Sequence, residues 1–203
     1  MNEHPALEPI IPFLLRTGAL KFGEFTLKSG APSPFFIDLG EVKQGRDLAI
    51  LGAHFAEAVA TRFPGTTLLF GPAYKGIALA TATAAAAWHR SGADLGVLFD
   101  RKEAKTHGET GSFIGRRPTS ADRVVIIDDV MSSGRTKLDA LTALRTTFGV
   151  TTADILVVVD RTTRHHPPPL PVAALTTVPA LAEHLKREGD PRWQVIHHFW
   201  ETA

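Results

Sequence analysis

The 203-residue chain carries 22 basic and 21 acidic side chains, and 44% of its residues are hydrophobic. The near-neutral balance argues against a protein that coats nucleic acid or a membrane surface, so any cationic site must be local. Without cysteine there can be no disulfide, thiol nucleophile or thiolate zinc site. Residues 1–5 lack a signal-peptide pattern, and we therefore expect a cytoplasmic protein with one well-buried core.

The first forty residues predict a helix followed by a small hood. Apolar residues between Leu7 and Leu15 recur with helical spacing, and Gly18 closes that helix. Residues 22–27 alternate between apolar and polar, and residues 35–37 follow a Pro- and Ser-rich turn. The two segments predict a short antiparallel ribbon that could cap a site.

Helices and strands then alternate along the chain. Apolar spacing predicts helices over residues 48–63 and 138–144 and near 180–187, and an Ala-rich helix over 77–88 that is too short to span a bilayer. Strands are predicted at Thr67–Phe70, Leu95–Phe99, Val124–Asp128 and Ile155–Asp160. This alternation predicts an α/β fold, a doubly wound and mostly parallel sheet flanked by helices.

The predicted elements form a single domain with three parts. The hood spans approximately residues 1–40, the core approximately 45–165, and an appendage residues 166–203. The run His165–Pro169 has three consecutive prolines and must be a surface loop, because proline suits neither a helix interior nor a central strand.

The most informative stretch runs from Val124 to Thr136. Four β-branched residues predict a strand buried on both faces, and Asp128 and Asp129 stand at its carboxyl end, where α/β proteins bind ligands. A Ser/Gly/Thr turn then leads into a helix, whose first backbone N–H groups attract phosphate. Together these parts suggest a pocket for a phosphorylated sugar, although the two aspartates alone fit a structural role equally well.

Two further loops carry cationic side chains. The turn Phe70–Gly76 contains two glycines and Lys75, a combination that can approach an anion but is also a common connection. The stretch Asp100–Gly111 is rich in charge and has no apolar periodicity, which predicts a mobile, solvated loop. A basic loop of this kind can close over a departing pyrophosphate and neutralise its charge.

Val124–Thr136 resembles the phosphoribosyl pyrophosphate (PRPP) signature of the type I phosphoribosyltransferases. Arg101–Gly108, which reads Arg-Lys-Glu-x-Lys-x-His-Gly, resembles the catalytic loop of the orotate-using branch of that family, and Lys21–Phe36 resembles its N-terminal hood. The resemblance implies transfer of the phosphoribosyl group from PRPP to N1 of orotate, giving orotidine 5′-phosphate and pyrophosphate with Mg²⁺. This reaction is a step of de novo pyrimidine (UMP) biosynthesis.

The resemblance also assigns roles to residues. It implies catalytic roles for Lys102, Lys105, Asp128 and Asp129, with Mg²⁺ held mainly through PRPP rather than by direct protein ligands. PRPP would contact Lys28, Tyr74, Lys75, Arg101, Lys102, Lys105, His107, Asp128, Asp129, Val130, Met131, Ser132, Ser133, Gly134, Arg135 and Thr136. Orotate would contact Phe36, Ile37, Ser132 and Arg161. Counterparts of Arg101, Lys105 and His107 reach the partner's site in the family, which implies a homodimer with shared active sites.

Some positions depart from the family pattern or leave alternatives open. Ser132 replaces the more usual threonine, Arg135 occupies a small-residue position, and Arg161 could simply pair with Asp160 at the surface. His165–His166 and His197–His198 lack the partners expected of a metal site.

A phosphoribosyltransferase for uracil or a purine would share the PRPP motif but generally not the basic loop. A PRPP-sensing regulator would usually add a nucleic-acid-binding segment.

Overall fold

The computed structural model describes residues 7–27, 30–105 and 111–203, without the side chains of residues 102–105 and 111. The helices are α1 (Ile10–Arg16), α2 (Gly45–Arg62), α3 (Lys75–Ser91), α4 (Arg135–Phe148), α5 (Val178–Arg187) and α6 (Trp193–Thr202). The strands are β1 (Leu20–Thr26), β2 (Pro32–Ile37), β3 (Leu68–Gly71), β4 (Gly96–Lys105), β5 (Gly111–Gly115), β6 (Val124–Met131), β7 (Asp154–Asp160) and β8 (Ala173–Thr177).

A six-stranded sheet forms the centre of the molecule, in the order β5-β4-β3-β6-β7-β8. All pairs are parallel except β4–β5, which is antiparallel. The predicted mostly parallel sheet is therefore confirmed, and the motif strand β6 lies at its centre between β3 and β7. The carboxyl ends of these three strands meet at one edge of the sheet.

Alternate residues of the central strand face two hydrophobic layers. Val125 and Ile127 pack in the larger cluster, with residues of α2, α3, α5 and α6. Val124 and Ile126 pack in the smaller one, with α4. Helices on both faces explain why β6 shows no polar alternation and confirm the doubly wound arrangement.

The predicted hood ribbon consists of β1 and β2, which pair with Leu20 opposite Ile37 and Lys21 opposite Phe36. The ribbon forms a separate two-stranded sheet. Its inner residue Phe35 is fully buried and meets the ring of Phe199 in α6 at a centroid distance of 5.2 Å. The end of the chain is thus joined to its beginning at one side of the central sheet.

Four elements differ from the sequence-based prediction. β4 continues to Lys105 and returns as β5, where a solvated loop was expected from Asp100 to Gly111. β8 adds a parallel edge strand after the His-Pro run, and α6 adds a final helix. The predicted appendage therefore extends the central sheet and packs against the hood. No helix within the described ranges is long and apolar enough to cross a membrane.

Candidate active site

The loops that follow three neighbouring strands lie at one edge of the sheet. The backbone N–H of Arg161, just after β7, donates to the carbonyl of Met131 at the end of β6 over 2.8 Å. On the other side, Gly76 at the start of α3 lies so close to β6 that a Cβ there would be 2.9 Å from the carbonyl oxygen of Ile127. The loops after β3, β6 and β7 therefore surround a common space at the end of β6.

The loop after β6 turns sharply into α4. Gly134 has a φ of +72° and precedes the first helical residue, Arg135. A Cβ on Gly134 would lie 2.5 Å from Cγ of Pro169, so both the backbone angle and the packing require glycine here. Ser132 and Ser133 are exposed, and the first N–H groups of α4 have no partner within the helix. The predicted phosphate loop thus turns at Gly134 and leaves the N–H groups at the start of α4 without helical partners, as a phosphate-binding loop would need.

The acidic pair has two different environments. Asp128 is 8% exposed, and Nζ of the buried Lys137 lies 2.6 Å from its carboxylate. Burial raises the pKa of Asp128, while the positive charge of Lys137 opposes that shift. Its other carboxylate oxygen accepts from the N–H of Asp129 over 2.9 Å. Asp128 is consequently fixed on both of its oxygens.

Asp129 points toward the hood and the loop after β3. Its carboxylate accepts from the N–H of Val130 over 2.8 Å and pairs with Nζ of Lys75 at 3.1 Å. Lys75 also lies 3.8 Å from Asp38, which in turn pairs with Lys21 at 2.8 Å. The bond with Lys21 lowers the pKa of Asp38. The two predicted PRPP residues Asp129 and Lys75 are thus brought together, and a chain of alternating charges links them to the hood.

The glycines of the Phe70–Gly76 turn serve mainly to pack its backbone. A Cβ on Gly71 would lie 2.2 Å from the carbonyl oxygen of Gly76, so the two ends of the turn are in contact. The Asp100 carboxylate accepts from the N–H of Ala73 over 2.5 Å and holds the middle of the turn. Tyr74 follows a cis peptide bond and is 72% exposed.

Two predicted orotate residues, Phe36 and Ile37, are neighbours in β2 but differ in burial. Phe36 is 37% exposed, and its ring stacks on that of Phe25 with centroids 5.6 Å apart. Ile37 is 4% exposed and its side chain belongs to the hydrophobic core, so that side chain cannot contact a ligand. The alternation of the β2 strand explains this difference between neighbours.

Arg161 is buried rather than a surface residue. It is 8% exposed, and burial lowers its pKa to about 10. Its guanidinium donates to Ser33 Oγ over 2.5 Å, but within the described ranges its Nε has no hydrogen-bond partner. The Asp160 carboxylate instead accepts from the N–H and hydroxyl of Thr162. The alternative of a surface ion pair between Arg161 and Asp160 is therefore wrong.

Several predicted residues fall where the structure gives no side chain. Lys28 and His107 lie outside the described residues, and the side chains of Lys102 and Lys105 do so as well. Arg101 lies in β4 and is partly buried. Their assignments to PRPP remain predictions.

The histidines of the loop after β7 have partners in α6. His165 Nε2 lies 2.9 Å from the carbonyl oxygen of Glu201, and His166 Nδ1 lies 3.2 Å from that of Ala203. Across the part of the chain that the structure describes, no group of three or more His, Cys, Asp or Glu side chains could hold a metal ion. The contacts of His165 and His166 join the loop after β7 to the end of α6.

Sequence reasoning missed three residues that shape the site. Lys137 occupies a buried helical position three residues before Ala140 and seven before Leu144, whereas Leu138 is 43% exposed. A lysine at a buried helical position was the available signal, because such a group needs a buried partner. Asp100 and Phe199 gave no comparable signal, because their partners are distant in sequence.

Comparisons with known proteins agree with this geometry. A family model for the phosphoribosyl transferase domain matches residues 38–184. The orotate phosphoribosyltransferase of Salmonella newport is 44% identical over 160 residues, covering 79% of this chain and 74% of its own. The crystal structure of the Francisella tularensis orotate phosphoribosyltransferase has a TM-score of 0.76 at 29% identity and covers 95% of this chain and 98% of its own.

A second structural likeness concerns the fold alone. The Mycobacterium tuberculosis orotate phosphoribosyltransferase in complex with PRPP has a TM-score of 0.62 at 18% identity, covering 86% of this chain and 99% of its own. The family model and the 44% identical relative confirm the resemblance inferred from the PRPP motif and the basic loop. The chain therefore belongs to the phosphoribosyltransferase family, within the branch formed by the orotate phosphoribosyltransferases.

Proposed function

We propose that the protein transfers the phosphoribosyl group of PRPP to N1 of orotate, releasing pyrophosphate and forming orotidine 5′-phosphate for pyrimidine biosynthesis. The C1–O bond to pyrophosphate breaks, and the N1–C1 bond forms at the same carbon. Orotate attacks as its N1 anion, so no covalent enzyme intermediate is needed. The protein's task is to position both substrates and to balance charge at the two ends of the breaking bond.

The PRPP half of the proposal rests on the edge of the sheet at β6. The loop from Ser132 to Thr136 offers hydroxyls and helix N–H groups for the 5-phosphate. Asp128 and Asp129 supply carboxylates for the ribose hydroxyls and for the positive charge that develops on the ring. Lys75 stands 3.1 Å from Asp129, where it would meet the pyrophosphate beside the ribose.

The main support for orotate as the acceptor base is the buried Arg161. Burying a cation without a carboxylate is costly, and burial lowers the pKa of Arg161. Among the described residues its Nε has no hydrogen-bond partner, and the backbone bond to Met131 places Arg161 beside the phosphate loop. The orotate carboxylate would supply the missing negative charge in a charge-assisted hydrogen bond.

Phe36 would provide a flat apolar wall for the pyrimidine ring. Phe36 is partly exposed on the hood and is held by stacking on Phe25. The main chain at Ile37 would hydrogen-bond the ring edge, because its side chain is buried in the core. Ser132 adds a hydroxyl from the phosphate loop.

The leaving group requires further positive charge and a divalent cation. The predicted contributions of Lys28, Arg101, Lys102, Lys105 and His107 belong here, with some of them acting across a homodimer. Mg²⁺ would be bound chiefly by pyrophosphate and ribose oxygens, near the carboxylates described above, and would neutralise part of the leaving group's charge. The cytoplasmic location expected from the sequence stays a prediction.

A substrate panel tests this function. The protein is mixed with PRPP and Mg²⁺, and orotate, uracil, adenine and hypoxanthine are offered separately while pyrophosphate release is measured. We expect turnover with orotate and none with the other three bases. Turnover with uracil or a purine, and none with orotate, would refute the assignment of the acceptor base.

A further inference from the structure

We infer that Phe199 of α6 is a positioning residue for Arg161, so that the final helix is part of the apparatus that recognises the orotate carboxylate. The inference rests on the function proposed above. It gives a role to a region, residues 162–203, for which the sequence suggested none.

The first support is the geometry around the guanidinium. Its central carbon lies 4.7 Å from the ring centroid of Phe35 and 5.1 Å from that of Phe199. The two rings meet at 85°, so they form a corner that contacts the guanidinium from two directions. Phe35 comes from the hood and Phe199 from α6, and Arg161 is held where these elements meet. Cation–π contacts of this kind are strongest where water is excluded.

The second support is the chemistry of the partners. Ser33 Oγ accepts from the guanidinium and donates to the carbonyl of Phe35 over 2.7 Å. Every partner of Arg161 within the described ranges is electrically neutral. A carboxylate partner would fix the side chain equally well but would neutralise its positive charge. An aromatic corner fixes the guanidinium and leaves the charge available for an anionic ligand.

The third support is the attachment of α6 to the loop that follows Arg161. Thr163 donates its hydroxyl to the carbonyl of Ala203 over 2.7 Å, and the N–H of Arg164 donates to the carbonyl of Trp200 over 3.2 Å. His165 adds the contact with Glu201. Phe199 and Arg161 are therefore joined by the packing of their side chains and by hydrogen bonds between the adjoining backbone segments.

The test compares Phe199→Leu, which keeps apolar volume but removes the ring face, with Phe199→Tyr, which keeps the ring. Ile196→Ala is the matched control, because Ile196 is a fully buried core residue of the same helix. KM for orotate, KM for PRPP and the thermal midpoint are measured for each. Phe199→Leu should raise KM for orotate by about tenfold, equivalent to 1.4 kcal/mol, and leave KM for PRPP within about twofold.

Phe199→Tyr should keep KM for orotate near that of the unmodified protein, and Ile196→Ala should lower the thermal midpoint without changing the ratio of the two KM values. An unchanged KM for orotate in Phe199→Leu would overturn the inference. So would a parallel rise in both KM values, or an equal rise in Ile196→Ala. Failure of the unmodified protein to use orotate would refute the proposed function instead, before any variant is compared.

Discussion

The buried pair formed by Lys137 and Asp128 permits a quantitative prediction. Replacing Lys137 by Met keeps the length and apolar volume of the side chain but removes its charge. At an effective dielectric constant of about 20, unit charges 2.6 Å apart attract each other by about 6 kcal/mol. Desolvation of the lysine offsets part of this attraction, and removal of one member of a buried pair typically costs about 3–5 kcal/mol. We expect a loss of about 3 kcal/mol in the free energy of unfolding at about pH 8.

The loss should depend on pH in a defined direction. Burial already raises the pKa of Asp128 above its ordinary value of 3.8, and removal of Lys137 raises it further. A protonated Asp128 stabilises the folded state below the unfolded pKa, and this contribution disappears as the pH rises through the folded pKa. The difference between Lys137→Met and the unmodified protein should therefore be small near about pH 4 and grow toward about pH 8.

Urea unfolding across this pH range measures the effect. Arg145→Met is the control, because Arg145 is an exposed basic residue of the same helix. It should change the free energy of unfolding by less than about 0.5 kcal/mol at every pH. A pH-independent loss in Lys137→Met, or one that grows as the pH falls, would refute the account of the pair.

Three further predictions concern the site. Arg161→Gln should raise KM for orotate by at least about a hundredfold and change KM for PRPP little, because it removes the charge that would face the carboxylate; steady-state kinetics with each substrate varied decides this. Gly134→Ala should lower the free energy of unfolding by about 1–3 kcal/mol and weaken PRPP binding, because the left-handed turn and the contact with Pro169 both exclude a Cβ. Calorimetry measures the affinity for PRPP, and an unchanged affinity would contradict this prediction. Mixing inactive Asp128→Asn and Lys105→Ala chains should restore part of the activity if the sites are shared in a homodimer, and no recovery in demonstrated mixed dimers would count against sharing.

The fold could be predicted where the hydrophobic period was clear. The four parallel strands and their helices follow from apolar runs and helical spacing, and the motif at the end of β6 located the ligand edge. β5 and β8 are five-residue strands at the two edges of the sheet, and their pattern is too short to distinguish from a loop. α6 has apolar residues at helical spacing, including Ile196 and Phe199, but the His197–His198 pair between them obscures the pattern.

The site was predictable in its chemistry and less so in its contacts. The sequence placed Asp129, Lys75 and Arg161 at carboxyl ends of strands, and strand order then brings such residues to one edge. The signal for the pairing of Lys137 with Asp128 was easy to overlook, because the leucines at 138 and 141 suggest a buried face that does not include Lys137. The sequence could not reveal the corner of Phe35 and Phe199, because 164 residues separate them and only tertiary packing brings them together.

Identification of the product is the most direct test of the central claim. Protein, PRPP, Mg²⁺ and orotate are incubated together, and the nucleotide formed is identified by mass while pyrophosphate is quantified in the same sample. We predict orotidine 5′-phosphate and pyrophosphate in equal amounts, with neither formed when orotate is left out. Pyrophosphate without the nucleotide, or no reaction at all with orotate, would contradict the proposed function.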